Sequence, residues 1–226
     1  MSWSTAIFID HNLQFNTAYE LINAFEVRTG KPVFEEIFSE NKTSEVRCSD
    51  TYDGWSTFRC DYETLEGNFK EQGLIQFFDK SNGDEFWVSK NNIMVCTKAT
   101  SIPYDWPGTI EWLNELAKTP CGRLQNHPFS RIRLELFEIC KLFGGKKFVL
   151  FCSDANQDIL ESLWQGTSIA DVLNKHKSGI NIVRYQNIDK FCYDTNSHTP
   201  ESTLIYSHSF LLDDFEDLKS ILQLQQ

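Results

Sequence analysis

The sequence predicts an α+β protein. An antiparallel sheet with one helix is expected over residues 1–100, followed by a helix-rich α/β half with a short parallel strand pair over residues 101–226. The first half is a series of short β-rich segments separated by turn formers, whereas apolar residues in the second half recur mostly at helical spacing. Of the 226 residues, 41% are hydrophobic and 14% aromatic, which is enough for a packed core without metal or disulfides. The two halves are expected to be separate domains or parts of one continuous domain.

The first half opens with a strand and a helix. Residues 3–10 are rich in Ile, Phe and Thr, which favour a strand. In the helix that follows, apolar residues stand at positions i, i+3, i+4 and i+7, which are Ala18, Leu21, Ile22 and Phe25. Asn16 or Thr17 can cap this helix, and Gly30 ends it.

Short β-rich segments make up the rest of the first half. They cover residues 33–38, 44–48, 55–62, 73–78, 85–89 and 93–97. The tetrapeptide Ser81-Asn82-Gly83-Asp84 is typical of a hairpin turn and predicts that Leu74–Asp79 pairs with Glu85–Ser89.

A loop with two prolines and a glycine, residues 101–108, marks a candidate boundary before the second half. Helices are predicted over residues 109–118, 158–165, 168–176 and 213–224. A further helix is predicted to begin after a cap at Ser130 and to end at Gly144-Gly145. Strands are predicted over residues 147–152 and 180–185, with another at 203–207. The order strand, helices, strand predicts that residues 147–152 and 180–185 are parallel neighbours joined by a right-handed crossover.

Composition excludes several classes of protein. The formal net charge is −11 and the Lys and Arg residues do not cluster, so binding to nucleic-acid phosphates is not expected. No apolar run approaches the roughly 20 residues that cross a bilayer, and the first ten residues lack the basic start of a signal peptide. The seven cysteines are odd in number and form no CxxC pair. They favour free thiols in a reducing compartment, the cytoplasm.

Two groups of ionisable residues are candidates for catalysis. Asp10 and His11 follow the first strand, and Asp154 and Asp158 follow the strand at 147–152. If these two strands are adjacent and parallel, the four side chains converge at one sheet edge, where ligands of α/β proteins collect. They would then suit a metal-dependent hydrolase of a small phosphorylated or acyl substrate. The ordinary alternatives are helix capping and polar turns, and because no histidine has metal-ligand spacing we expect no metal and no cofactor.

Acidic and aromatic residues of the β-rich half are candidates for binding a protein. One face of an antiparallel sheet is often exposed, and large aromatic side chains there mark binding surfaces. The candidates are Glu35, Glu36, Glu40, Trp55 and Trp87. The alternatives are that the aromatic residues fill the core and that the acidic residues only confer solubility.

The absence of a catalytic motif favours a non-enzymatic acidic protein-binding module, of which an immunity-type or regulatory inhibitor of a basic partner protein is the specific form. In composition, though in no motif, the chain is similar to small acidic bacterial proteins that bind one partner, such as immunity proteins that neutralise a secreted toxin. The hydrolase is the second hypothesis, and an accessory component of a larger assembly is the third. The oligomeric state stays open.

Overall fold

The computed structural model describes residues 5–37, 54–59, 65–79, 83–97, 128–152, 156–187 and 209–218. The strands in this part of the chain are β1 Thr5–Asp10, β2 Val33–Ile37, β3 Trp55–Arg59, β4 Leu74–Asp79, β5 Glu85–Ser89, β6 Asn92–Cys96, β7 Phe148–Cys152, β8 Asn181–Arg184 and β9 Ser209–Asp213. The helices are α1 Ala18–Thr29, α2 Leu65–Gln72, α3 Pro128–Leu142, α4 Gln157–Trp164 and α5 Ile169–His176, and a 3₁₀ turn spans Tyr185–Asn187.

All nine described strands belong to one sheet, in the order β2-β3-β4-β5-β6-β1-β7-β9-β8. The pairs β2–β3 and β8–β9 are parallel, and the other neighbours are antiparallel. The predicted α+β class is therefore confirmed. β1 lies in the interior of the sheet, where it pairs with β6 on one side and β7 on the other. The division into two domains stays a prediction.

The neighbours of the strands in the second half differ from those expected. The parallel pair is β8 with β9, and β9 separates β8 from β7. The sequence-based interpretation assigned residues 203–207 to a strand and began the last helix at Asp213, so it missed β9. Asp213 is instead the last residue of β9, and helical backbone begins only at Glu216. The predicted elements at residues 44–48, 109–118 and 203–207 lie outside the described residues.

The first half also differs from the expectation of one helix in an antiparallel sheet. It contains a second helix, α2, whose sequence LEGNFKEQ has only Leu65 and Phe69 at helical spacing and includes a glycine, so its periodic signal is weak. In addition, β2 is parallel to β3. The predicted hairpin is confirmed, because β4 and β5 are antiparallel partners.

Local capping accounts for both ends of α1 and for the start of α5. Thr17 caps α1 by accepting a hydrogen bond from the backbone N–H of Glu20 (3.2 Å), and Gly30 ends the helix with φ of 69°. Ser168 caps α5 in the same way, through the backbone N–H of Asp171. By contrast, α3 begins at Pro128 and not after Ser130, since proline is well suited to the first turn of a helix.

The sheet is covered on both faces, and strand alternation divides the core accordingly. One face, called here the α1/α3 face, packs against helices α1, α2 and α3, and Phe25 of α1 stacks on Phe77 of β4 with ring centroids 3.8 Å apart. The other, the α4/α5 face, packs Phe8 and Phe151 of the central strands against helices α4 and α5. Among the described residues, none of the helices has the length and apolar character needed to span a membrane.

Candidate functional site

Asp10 ends β1 and holds the turn between α3 and β7. Its Oδ1 accepts hydrogen bonds from the backbone N–H groups of Lys146 (2.6 Å) and Lys147 (2.8 Å). The backbone of Gly145 passes so close that an added Cβ would lie 2.0 Å from the carbonyl oxygen of Asp10. The carboxylate of Asp10 therefore fixes the approach of a loop, which is a structural task.

His11 lies next to Asp10 and makes two hydrogen bonds to backbone groups. Its Nδ1 accepts from the N–H of Leu13 (3.1 Å), which leaves Nε2 to donate to the carbonyl oxygen of Ser89 (2.8 Å). Burial lowers the pKa of His11 below its usual value, even though Ser89 and Asp10 favour the charged form. In this neutral tautomer both ring nitrogens are occupied, so neither is free to accept a proton or bind a metal.

The topology separates the two groups of catalytic candidates. The strands β1 and β7 are adjacent, but they are antiparallel, and Thr5 at the start of β1 pairs with Cys152 at the end of β7. Asp10 is five residues farther along β1, which places it about 17 Å from that pair along the sheet. Asp154 lies outside the described residues. Asp158 is exposed in the first turn of α4, which follows β7. The predicted convergence required β1 and β7 to be parallel, and their antiparallel pairing does not meet that condition.

In the described part of the chain, no three His, Cys, Asp or Glu side chains are grouped so that they could hold a metal ion.

The acidic and aromatic candidates lie on the side of the sheet that begins with β2. Glu35 and Glu36 belong to β2, where they pair with Thr57 and Phe58 of β3. Trp55 begins β3, and Trp87 lies at the centre of β5, two strands away. The distance from β2 to β5 is three strand spacings, about 14 Å. Glu40 lies outside the described residues.

The strands β4, β5 and β6 have two faces that are buried to different degrees. On the α1/α3 face, their alternating side chains are at most 5% exposed: Ile75, Phe77, Phe86, Val88, Ile93 and Val95. On the α4/α5 face, Ser89 and Asn92 are buried where they donate hydrogen bonds to the carbonyl oxygen of Leu163. The other intervening side chains on this face are only half-buried: Gln76, Phe78, Glu85, Trp87, Met94 and Cys96. The helix α4 contacts β5 and β6 here, and it leaves these side chains partly open to solvent.

Two stacked indoles stand on the half-buried side of the sheet. Trp87 of β5 stacks on Trp164 at the end of α4, with ring centroids 5.8 Å apart and an interplanar angle of 19°. Glu85, two residues before Trp87 on the same strand, accepts a hydrogen bond from the indole Nε1 of Trp87 (2.5 Å). Its Oε1 also accepts from the side-chain amide of Gln76 on β4. The orientation of Trp87 is thus fixed by a carboxylate and by a second aromatic ring.

Acidic residues lie close to the two tryptophans in sequence, on β5 and on α4. Helix α4 has the sequence QDILESLW, which contains Asp158 and Glu161 and no basic residue. Both side chains are exposed, and Glu161 lies one turn before Trp164. We call the set Glu85, Trp87, Glu161 and Trp164 the acidic–aromatic surface. Cys96, opposite Glu85 in the ladder, adds no charge, because burial raises the pKa of its thiol to about 11.

A buried charged cluster lies on the opposite face of the sheet. Arg133 of α3 donates from Nε to Asp213 (2.5 Å) and from Nη1 to Asp217 (2.8 Å). Its guanidinium carbon lies 3.6 Å from the ring centroid of Tyr185, within cation–π range. Asp213 also accepts from the backbone N–H of Phe215 (2.8 Å), a residue with φ of 58°. The cluster thereby secures the turn that follows β9, where a bulky residue adopts a left-handed conformation.

The two carboxylates of this cluster differ in environment. Burial raises the pKa of Asp213, against the opposing effect of Arg133. The hydrogen bonds from Arg133 lower the pKa of Asp217, which is more exposed. For Arg133 itself, burial favours the neutral form, but hydrogen bonds to the two carboxylates outweigh it and raise the pKa above its usual value.

The sequence-based interpretation identified Trp87 but missed its partners. Glu85 lay in a predicted strand, and Trp164 in a predicted helix, without a local signal that the two meet. The one indication was that a half-exposed antiparallel sheet places residues i and i+2 on one face, which groups Glu85 with Trp87. Arg133 was missed because its partners lie about 80 residues away in sequence.

No protein-family model, no curated protein and no solved structure matches this chain.

Proposed function

We propose that the chain is a non-enzymatic protein-binding module that docks a basic partner protein on its acidic–aromatic surface. The observation that carries this proposal is the unequal burial of β4, β5 and β6, which leaves Trp87 and Trp164 half-buried on one face while the other face is closed. Tryptophan is enriched at the centres of protein interfaces, where a large rigid side chain contributes much contact area at little entropic cost.

Charge indicates the type of partner. The chain has a net charge of −11, and the exposed charges of α4 are all acidic. Such a surface attracts basic proteins and repels acidic ones, which accelerates association at low salt. An immunity-type or regulatory inhibitor is the specific form that we propose, because an acidic face can occupy the substrate cleft of a nuclease or another basic toxin.

We also propose a cytoplasmic location. It is supported by the thiol of Cys96, which forms no disulfide in the structure, as expected in a reducing compartment.

The experiment is an affinity capture of the tagged full chain from its native lysate, at about 50 mM and about 500 mM salt, over which screening strengthens markedly. The wild type is compared with Glu85→Lys combined with Glu161→Lys, and with Glu138→Lys on helix α3. Glu138 is a matched control because its side chain is 66% exposed and lies on the opposite side of the sheet.

We expect a stoichiometric basic protein that the wild type and the control capture at low salt, and that the double variant does not capture. A second variant, with Glu35, Glu36 and Glu40 changed to Lys, tests whether the interface extends to β2. If the double variant captures every partner as well as the control does, the proposal is wrong.

A further inference from the structure

Only one oxygen of the Glu85 carboxylate accepts hydrogen bonds from the described part of the chain. Its Oε1 accepts from Trp87 (2.5 Å) and from Gln76. Over the described residues, Oε2 receives no hydrogen bond, and the side chain is half-buried. A carboxylate that is held in place by one oxygen and open at the other is a preorganised acceptor for a donor from outside the chain.

An aromatic surface adjoins this open oxygen. The indole of Trp87 is bonded to the Glu85 carboxylate at its N–H edge and is stacked on Trp164. The faces of an indole carry negative potential and attract cations, and a planar guanidinium can also stack on the ring. Glu161, one turn before Trp164, adds a further negative charge. A cation placed here therefore meets an aromatic ring and a fixed carboxylate together.

We propose that this surface binds an arginine side chain of the partner in preference to lysine. This inference rests on the proposed function and specifies what the partner presents. A guanidinium is planar and can stack on an indole while one of its N–H groups donates to the open oxygen Oε2, whereas the ammonium of lysine is compact and strongly hydrated. The preference arises from geometry, since arginine and lysine carry the same charge.

The test uses two synthetic peptides as probes, eight residues long with blocked ends, in which glycine alternates with arginine or with lysine. Fluorescence anisotropy of the labelled peptides gives their Kd values for the full-length protein. We expect the arginine peptide to bind about five-fold more tightly, a gain of about 1 kcal/mol that requires the indole and the carboxylate together.

Two variants are matched to this expectation. Glu85→Gln keeps an acceptor for Trp87 and Gln76 but removes the charge, and Trp87→Leu removes the indole while retaining an apolar side chain. Each is expected to reduce the arginine preference to less than about two-fold, while Glu138→Gln on the opposite face leaves it unchanged. Circular dichroism and urea unfolding show whether each variant is folded. If Trp87→Leu does not fold, Glu85→Gln alone tests the inference.

Equal affinities for the two peptides, or a preference that survives in Glu85→Gln, would overturn the arginine inference. The proposed function has a separate outcome. If the peptides show no preference but Glu85→Lys with Glu161→Lys still abolishes partner capture, the module binds a basic partner without selecting arginine. If capture is unaffected, the proposed function fails as well.

Discussion

Replacing Arg133 by Ala is expected to destabilise the protein strongly. The side chain of Arg133 is 7% exposed and that of Asp213 is fully buried, so the substitution leaves a buried carboxylate without its cation. Removal of one partner from a buried ion pair costs about 3–5 kcal/mol. The substitution also removes the contact with Tyr185, at 3.6 Å, so we expect a loss of stability near the upper end of this range. Because domains are stable by only about 5–15 kcal/mol, this loss is a large part of the total.

Urea unfolding followed by tryptophan fluorescence and circular dichroism measures this effect. With an m-value of about 2.5 kcal/mol/M, a loss of about 5 kcal/mol moves the midpoint down by about 2 M. The matched control is Arg184→Ala, which breaks the pair with Asp214 (3.2 Å). The side chains of this pair are 59% and 34% exposed, and exposed pairs contribute no more than about 1 kcal/mol.

A double variant separates the cost of an unpaired charge from the cost of lost packing. Arg133→Met with Asp213→Asn removes the uncompensated charge and retains an oxygen that can accept from the N–H of Phe215. We expect it to be more stable than Arg133→Met alone, because the buried carboxylate is gone. If Arg133→Ala costs no more than Arg184→Ala, the cluster does not stabilise the fold and the reasoning is refuted.

Three further predictions concern the turns around β1 and the cap of α5. Because burial lowers the pKa of His11 below its usual 6.5, the unfolded state binds the proton more tightly, and the free energy of unfolding should fall as the pH drops through about 6.5. Urea titrations over a pH series measure this dependence, and a His11→Gln variant that keeps all of it would contradict the prediction. Gly145→Ala would place a Cβ 2.0 Å from the carbonyl oxygen of Asp10, whereas the Cβ of Gly179→Ala would meet no atom closer than 3.8 Å. We expect calorimetry to show a fall in Tm of several degrees for Gly145→Ala, at about 2–4 °C per kcal/mol of lost stability. Equal Tm values for the two variants would refute the close approach. Ser168→Ala removes the cap of α5 and should cost about 1 kcal/mol in urea unfolding, with no loss expected if the backbone N–H of Asp171 is equally well satisfied by water.

The sequence was informative wherever the signal is local. The helix that begins at Ala18 and ends at Gly30 was predicted because its apolar spacing and its end residues lie within a few positions of each other. The hairpin of β4 and β5 was predicted for the same reason, from one turn tetrapeptide. By contrast, α2 has two apolar residues in eight, and its formation depends on packing against α1.

The neighbours of the strands could not be predicted, because pairing depends on contacts between distant segments. The parallel pairing of β7 with β8 was predicted from the order of elements alone, and that order does not show that β9 lies between them. The same limitation affected the site. An Asp-His pair after a strand suggested catalysis, but the partner of His11 is Ser89, 78 residues away. No local pattern indicates that such a histidine bridges two backbone groups and is already satisfied.

The most direct test of the central claim is the affinity of the captured partner for two single variants, measured by isothermal titration calorimetry at about 50 mM salt, where screening is weak. Glu161→Lys reverses an exposed charge one helical turn from Trp164, and Glu138→Lys reverses an exposed charge on the opposite side of the sheet. If the acidic–aromatic surface binds a basic partner, Glu161→Lys weakens binding by about ten-fold or more and Glu138→Lys changes it by less than about two-fold. Equal effects of the two variants would show that only the net charge matters, and would contradict the account.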